Sequence, residues 1–361
     1  MDDPALIDWT SGESHVLLNP RMPREEEVRL RALVINLTAH VWLATSGTTG
    51  TLKLAALSKD ALLASAAAVN RHLGSDGRDV WCCVLPVFHV GGLGIFARAF
   101  LSGARIIRAQ WNAREFAANR EMTLASLVPA QVSDLVELQF PAPSTLRAIV
   151  VGGGALPDAL YAGARALGWP LLPSYGMTET CSQVATATWS SPELHLLDHI
   201  EARTEDDGRL AFRGPSLLTG YASERGLEDP KTSAGWFVTE DLGFIDNRSD
   251  GRTLRVVGRR GDSVKIGGES VDLTRLDAIL TSIAGPHAAV VAVPEPRLGW
   301  VIHLAIDPSV DDSDRVLAAF NAGVHPFERA RAVHRVAEIP RSPLGKLLRA
   351  KLLETISPVA E

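Results

Sequence analysis

Between residues 80 and 172, short apolar runs of β-forming residues alternate with longer helix-forming stretches, and that alternation leaves few folds open. The runs lie at residues 80–85, 105–107, 124–128, 148–151 and 171–172. Strands alternating with helices predict an α/β domain built on layered, mostly parallel sheet. Residues 58–73 read as one of the helices, alanine-rich and with Ser58 placed to cap its N-terminus. Residues 24–37 are charged and helix-compatible, and no chemistry is read there.

From about residue 200 the texture changes to short strands and turns, at residues 209–213, 235–239 and 253–257. That predicts a small, mostly antiparallel β subdomain over about 200–260. The stretch Gly258-Arg259-Arg260-Gly261-Asp262 then opens onto roughly a hundred residues, the scale of a separate small domain. Residues 275–282, 288–293, 301–306 and 314–322 alternate helix and strand signals there. The expected division is a large N-terminal domain over 1–260 and a small, mobile α+β domain over 261–361.

Composition excludes several classes. The net charge of −6 comes without any basic run, so nucleic-acid binding has no support. Three cysteines, with Cys82 and Cys83 adjacent, form neither a disulfide framework nor a metal-ligand spacing and fit a reducing cytoplasm. The start, Met1-Asp2-Asp3-Pro4, is acidic and leads into no apolar core, so no signal peptide is expected. Residues 80–97 are uncharged, but Pro86, His89, Gly91, Gly92 and Gly94 make them a strand, a turn and a helix start rather than a membrane span.

The chemistry concentrates first at Thr45-Ser46-Gly47-Thr48-Thr49-Gly50-Thr51-Leu52-Lys53, directly after the apolar run Val41-Trp42-Leu43-Ala44. Glycines that admit φ > 0, hydroxyl donors that carry no charge and one lysine at the rim suit a loop that wraps an anion. The plain alternative is an ordinary Ser/Thr/Gly turn. Only two residues separate Gly47 from Gly50, so the stretch is not the nucleotide loop of the P-loop NTPases. A dinucleotide fingerprint fails too: Val150-Val151-Gly152-Gly153-Gly154-Ala155-Leu156-Pro157 puts Pro157 where the third glycine belongs. No Gly-x-Ser-x-Gly elbow of a serine hydrolase exists.

Four further stretches follow in order. They are Pro86-Val87-Phe88-His89-Val90-Gly91-Gly92, Ser174-Tyr175-Gly176-Met177-Thr178-Glu179-Thr180, the pair Trp236-Phe237-Val238-Thr239-Glu240-Asp241-Leu242-Gly243 with Gly258-Arg259-Arg260-Gly261-Asp262, and Pro340-Arg341-Ser342-Pro343-Leu344-Gly345-Lys346. Alone, each has a plain structural reading: a core histidine, a polar loop, a turn carboxylate with a surface arginine, and a solvated lysine. Together with the anion loop and the Gly152–Gly154 stretch, they resemble the adenylate-forming superfamily of acyl- and aryl-CoA synthetases, luciferases and peptide-synthetase adenylation domains. The resemblance runs from about residue 42 to 353. Departures are Leu52 and Leu54 around Lys53, Glu240 where relatives carry glycine, Gly261 at the hinge, and a shorter region ahead of the anion loop.

The resemblance implies that Thr45, Ser46, Gly47, Thr48, Thr49, Gly50 and Lys53 hold ATP phosphates, and that Gly153 and Gly154 run along the adenine and acyl substrate. It implies that Tyr175 and Gly176 face adenine, Thr178 donates to the α-phosphate, Glu179 ligates Mg²⁺, Asp241 accepts from the ribose hydroxyls and Arg259 reaches the ribose or phosphate. His89 lines the acyl pocket, and Lys346 is a mobile catalytic lysine. The Gly267-Gly268 loop helps admit the thiol of coenzyme A. Ser126-Leu127-Val128-Pro129-Ala130-Gln131 and Thr178-Glu179-Thr180-Cys181-Ser182-Gln183 resemble the o-succinylbenzoate–CoA ligases of menaquinone synthesis, with Gln131 able to contact substrate. The implied activity is ATP- and Mg²⁺-dependent adenylation of a small carboxylic acid and its transfer to CoA. Another aryl- or acyl-CoA synthetase and a non-catalytic nucleotide-binding protein are the alternatives, and a homo-oligomer is left open.

Overall fold

The apolar runs of residues 80–172 form the strands Val80–Cys83, Arg105–Arg108, Leu124–Leu127, Ala148–Val151 and Leu171–Met177, which pair with one another in parallel. The computed structural model describes residues 7–46, 52–154, 156–248, 251–259, 263–266, 269–295, 298–342 and 345–356. Alternate residues of these strands enter two different cores. Trp81, Leu124, Val150 and Leu172 pack on one face with the Lys59–Leu73 and Val90–Ser102 helices, whereas Cys82, Ala125, Ile149 and Leu171 pack on the other with Phe116, Val132, Leu135 and Trp169. A sheet buried on both faces is why the runs carry no polar alternation. Ser58 caps the first of those helices as expected, its Oγ accepting from the Ala61 N–H at 3.1 Å. Residues 80–97 are the expected strand, turn and helix start. Among the described residues no helix is long and apolar enough to cross a membrane.

The strands after residue 180 do not stand apart from this sheet. Ser182–Thr186 takes the free edge of Leu171–Met177 in antiparallel fashion, and Leu194–Leu196, Gly251–Arg259, Phe237–Arg248, Arg209–Arg213 and Glu201–Thr204 continue it to eleven strands. Two other strands of the region, Gly220–Ser223 and Gly226–Glu228, cross to a second sheet with His15–Leu17, His40–Ser46 and Leu52–Ser58. The expected β subdomain is therefore an extension of one sheet plus an edge of another. Texture alone shows short strands without showing which free edge they pair with.

The chain divides into two compact units, Met1–Thr239 with Phe244–Arg255, and Glu240–Gly243 with Val256–Glu361. In the second unit a five-stranded sheet of Ser263–Ile266, Glu269–Asp272, Ala288–Glu295, Gly299–Ile306 and Ala330–Arg335 is sandwiched between helices. Leu273–Ala284 and Ser313–Ala322 cover one face through Leu276, Leu280, Val316 and Phe320, and Arg349–Ile356 covers the other through Leu352.

At the N-terminal ends of the parallel strands, away from the loops that carry chemistry, Asp79 collects an ion pair with Arg147 at 2.5 Å and a hydrogen bond from the Thr123 hydroxyl at 2.7 Å. Burial alone would raise the Asp79 carboxyl. The hydrogen bonds from Arg147, Thr123 and the Asp76 N–H, together with the Arg147 charge, outweigh it and hold the pKa at about 2. A folded value below the unfolded one, about 3.9, gives stability that is present above that pH and lost as pH falls towards 2. Because Arg147 is a third exposed, the contribution is discounted to about 1–2 kcal/mol. Thermal melts of Asp79→Asn should lie below those of the native chain at pH 7, with the gap closing between pH 4 and pH 2.5. A gap independent of pH would mean that the charge is not what matters.

Candidate active site

The anion loop is the connection of a β-hairpin. His40–Ser46 and Leu52–Ser58 pair antiparallel, Thr45 opposite Lys53 and Ser46 opposite Leu52, on strands anchored by the fully buried Val41, Trp42 and Leu43. Gly47, Thr48, Thr49, Gly50 and the side chain of Ser46 lie outside the described residues. Lys53 is exposed at the mouth of the hairpin, its Nζ 5.0 Å from the centroid of the Tyr221 ring. The Tyr221 hydroxyl in turn donates to Glu179 Oε1 at 2.7 Å. Tyr221 stands opposite Ala55 on the strand that borders the hairpin, so the second sheet itself brings Lys53 and Glu179 to one place. Sequence reading passed over Tyr221, because nothing in residues 217–222 announces a strand that returns to residue 55.

Glu179 sits on a tight turn. The Leu171–Met177 strand ends in one turn of 3-10 helix, Thr178–Thr180, and the chain reverses through Cys181 at φ 54° and Ser182 at φ 122°. Such backbone strain in non-glycine residues persists only where the surroundings over-determine it. Here the fully buried Thr180 hydroxyl donates to Ser182 O at 2.8 Å, and the Leu218 N–H donates to Glu179 O at 2.8 Å. Gly176 is required, since a Cβ there would lie 1.9 Å from Ser182 O. The turn leaves Tyr175, Thr178 and Glu179 half-buried, with the Tyr175 ring 6.0 Å from that of Phe212. Among the described residues no group of three or more His, Cys, Asp or Glu gathers as a metal cage. A single carboxylate on a rigid turn fits Mg²⁺, which is held by one or two carboxylates and otherwise by water and phosphate oxygens.

Two other predicted stretches meet at the C-terminal ends of the parallel strands, where open α/β sheets bind ligands. Gly153, at φ +80°, passes Val128 so closely that a Cβ would touch its Cγ1 at 3.4 Å, and a Cβ on Gly154 would lie 3.7 Å from Pro129. Gln131 opens the Pro129–Glu137 helix, and its Oε1 accepts from the Val128 N–H at 3.0 Å. His89 is the N-cap of Val90–Ser102, its ring tilted against Phe88 at 4.7 Å. Its Nε2 is buried without a hydrogen-bond partner among the described residues, and burial lowers its pKa, so the imidazole is neutral at neutral pH.

One residue absent from the sequence reading changes the picture. Arg98, on the same helix as His89, is 1% exposed, and its Nη2 donates to the Ser182 hydroxyl at 3.0 Å while Nη1 reaches that of Ser126 at 3.4 Å. The guanidinium lies 5.3 Å from the Trp81 ring centroid, and its Nε has no hydrogen-bond partner among the described residues. Burial pulls its pKa down to about 10, and among the described residues no carboxylate pairs with it. Cys83 supplies no counter-charge, because burial pushes its thiol up to about 11. A buried cation without an anion is expensive, and such a charge is retained where an anionic ligand completes it. Ser182 also belongs to the Glu179 turn and Ser126 to the stretch ending at Gln131, so Arg98 ties the two together. The signal was present: Arg98 is the one charged residue of an otherwise apolar helix, Val90–Ser102.

The remaining predicted residues belong to the second unit. Asp241 is half-buried in the Phe237–Arg248 strand, within the four residues that group with that unit. Arg259 ends the Gly251–Arg259 strand; its side chain, the hinge residues Gly261 and Asp262, and Gly267 and Gly268 lie outside the described residues. Lys346 is exposed on a hairpin, its N–H donating to the Ser342 hydroxyl at 3.1 Å and its carbonyl accepting from the Ser342 N–H at 2.7 Å.

A family model described as AMP-binding enzyme matches residues 39–222. The 2-succinylbenzoate–CoA ligase of Bacillus licheniformis is 30% identical over 336 residues, which are 85% of this chain and 68% of the relative. That of a Geobacillus species is 32% identical over 342 residues, 86% of this chain and 68% of the relative. The solved structure of o-succinylbenzoate CoA synthetase from Bacillus subtilis in complex with its acyl-adenylate intermediate aligns with a TM-score of 0.78 at 27% identity, covering 86% of this chain and 68% of that one.

Proposed function

The chain belongs to the AMP-binding enzyme family, and from that premise we propose that it is an AMP-forming acid–CoA ligase acting on o-succinylbenzoate in menaquinone biosynthesis. The observation that carries the substrate is Arg98. o-Succinylbenzoate is a dicarboxylate: one carboxylate is activated and the other has to be taken out of water with its charge. A fully buried guanidinium, already oriented by two hydroxyls, is the group that does this at least cost. A monocarboxylic aryl or fatty acid leaves that cation uncompensated.

In the first half-reaction a carboxylate oxygen of the substrate attacks the α-phosphorus of ATP, and the bond to pyrophosphate breaks. The protein's task is to align two anions and neutralise the charge that develops at phosphorus. Thr45 to Lys53 cradle the phosphates, Thr178 donates to the α-phosphate, and Lys346 contributes a positive charge as pyrophosphate leaves. Glu179, whose carboxylate the Tyr221 hydroxyl orients through a 2.7 Å hydrogen bond, would hold Mg²⁺, which would supply neutralising charge to the phosphates. Tyr175 and Gly176 with the Gly153–Gly154 backbone receive the adenine, Asp241 and Arg259 the ribose, and neutral His89 and Gln131 line the acyl pocket. In the second half-reaction the CoA sulfur attacks the acyl carbon and AMP departs, with Gly267 and Gly268 admitting the thiol and the thiol proton passing to solvent. We place the activity in the cytoplasm, where its three buried free cysteines meet no oxidising environment.

The test is a panel of acids assayed for pyrophosphate and for CoA thioester. o-Succinylbenzoate should exceed benzoate and medium-chain fatty acids by at least about a hundredfold in kcat/KM, the value of one buried charge pair. Equal turnover across the panel would leave the enzyme class standing and reject this substrate.

A further inference from the structure

We propose that Arg341, on the limb leading into the hairpin, and the Asp277 carboxylate, paired with Arg349 on the limb leading out, form a latch that sets the position of Lys346, which makes Asp277 and Arg341 positioning residues of the adenylation half-reaction. The inference rests on the catalytic reading of Lys346 above and adds what holds that lysine in place. All the geometry lies within the second unit.

Lys346 rides on a hairpin closed by an antiparallel bridge between Arg341 and Leu347 and turned at Gly345, φ +77°. The limb leading in is fixed by Arg341. Its Nη1 donates to Gly345 O at 3.2 Å, inside the hairpin, and its Nη2 donates to Pro286 O at 3.1 Å, on the turn that follows the Leu273–Ala284 helix. The limb leading out is fixed by Arg349, whose Nη1 donates to Val290 O at 2.9 Å and whose Nη2 pairs with Asp277 Oδ2. Asp277 Oδ1 accepts from the Val290 N–H at 2.7 Å, so the carboxylate is tied to the Ala288–Glu295 strand as well. Fully buried Leu352 then packs the following helix on Ala289 and Val291.

Burial raises the Asp277 carboxyl against the pull of Arg349, the Val290 N–H and Arg341, and burial lowers Arg341. Half-buried charges of this kind add little stability, and apolar residues of the same volume would serve as well for that purpose. What the Arg349 fork on a fixed carboxylate and the Arg341 fork across two carbonyls supply is direction. The exposed lysine on this hairpin thus projects from a base that cannot slide along the sheet. Charge stabilisation at phosphorus demands such placement, because an error of about 1 Å can cost on the order of a hundredfold in rate. The thioester half-reaction does not use Lys346 and is indifferent to it.

The experiment compares Asp277→Asn, Arg341→Met, Arg341→Lys and Lys346→Ala with the native chain. Three readings are taken: pyrophosphate formed from ATP and o-succinylbenzoate without CoA, thioester formed from supplied acyl-adenylate and CoA, and the thermal melt. Asp277→Asn and Arg341→Met should lose roughly 10–100-fold in the first, keep KM for ATP within about threefold, and keep the second within about threefold. Arg341→Lys, a point charge that cannot span both carbonyls, should recover only part of the loss. Parallel losses in both half-reactions, or losses that follow unfolding, would make the cluster merely structural and overturn the proposal. So would unchanged adenylation in Asp277→Asn and Arg341→Met alongside its collapse in Lys346→Ala. Full adenylation by Lys346→Ala would instead bring down the role of the lysine itself.

Discussion

Lys346→Ala is expected to slow acyl-adenylate formation by about 10²–10³-fold, the size of effect seen when one preorganised donor to a developing anion is removed. ATP affinity, measured by calorimetry, should stay within about threefold, because phosphate loop, adenine and ribose contacts hold the ground state and the lysine acts on charge that appears only as pyrophosphate leaves. Thioester formation from supplied acyl-adenylate should be preserved. The side chain is exposed and lies outside the apolar core of the second unit, so the substitution leaves that core intact. A loss of ATP binding that matches the loss of rate would mean that Lys346 binds the nucleotide rather than the transition state.

The second large effect is at Arg98. Arg98→Met should lower kcat/KM for o-succinylbenzoate by roughly 10–150-fold, which is the ratio corresponding to loss of a charged hydrogen-bonded contact of about 1.5–3 kcal/mol. The melting temperature should hold or rise, because the substitution removes a buried cation that has no carboxylate partner among the described residues. The two readings together separate ligand recognition from architecture. An arginine that merely braced the Ser126 and Ser182 strands would lose stability on substitution, and turnover of benzoate would fall as far as that of the dicarboxylate.

Much of this was legible before any coordinates, and the reason is local. The parallel strands are apolar on both faces and the helix at Lys59–Leu73 has its serine cap, so propensity, pattern and burial agree there. The stretch bearing Glu179 was readable for another reason, its resemblance to the family's signature; the structure adds the tight turn and shows why Gly176 is needed, since a Cβ there has no room. What stayed hidden depends on pairing between distant segments. Tyr221 gains its meaning from a strand that returns 166 positions to face Ala55, and no local signal in a four-residue strand announces that partner. Likewise the strands after residue 180 show their type but not the edge they join. Arg98 was a different kind of miss: the lone charge on an apolar helix was visible, and only burial against two hydroxyls turns it from a surface residue into a candidate recognition group.

The claim beneath all of this is that the chain joins a free acid to the α-phosphate of ATP before any thiol is present. A rapid-quench experiment without CoA measures that directly. With o-succinylbenzoate and excess ATP, the native chain should give a burst of pyrophosphate of about one per active enzyme, matched by bound acyl-adenylate, and addition of CoA should convert that adenylate to thioester with release of AMP. Orthophosphate and ADP in place of pyrophosphate, or no burst until CoA is added, would contradict the account.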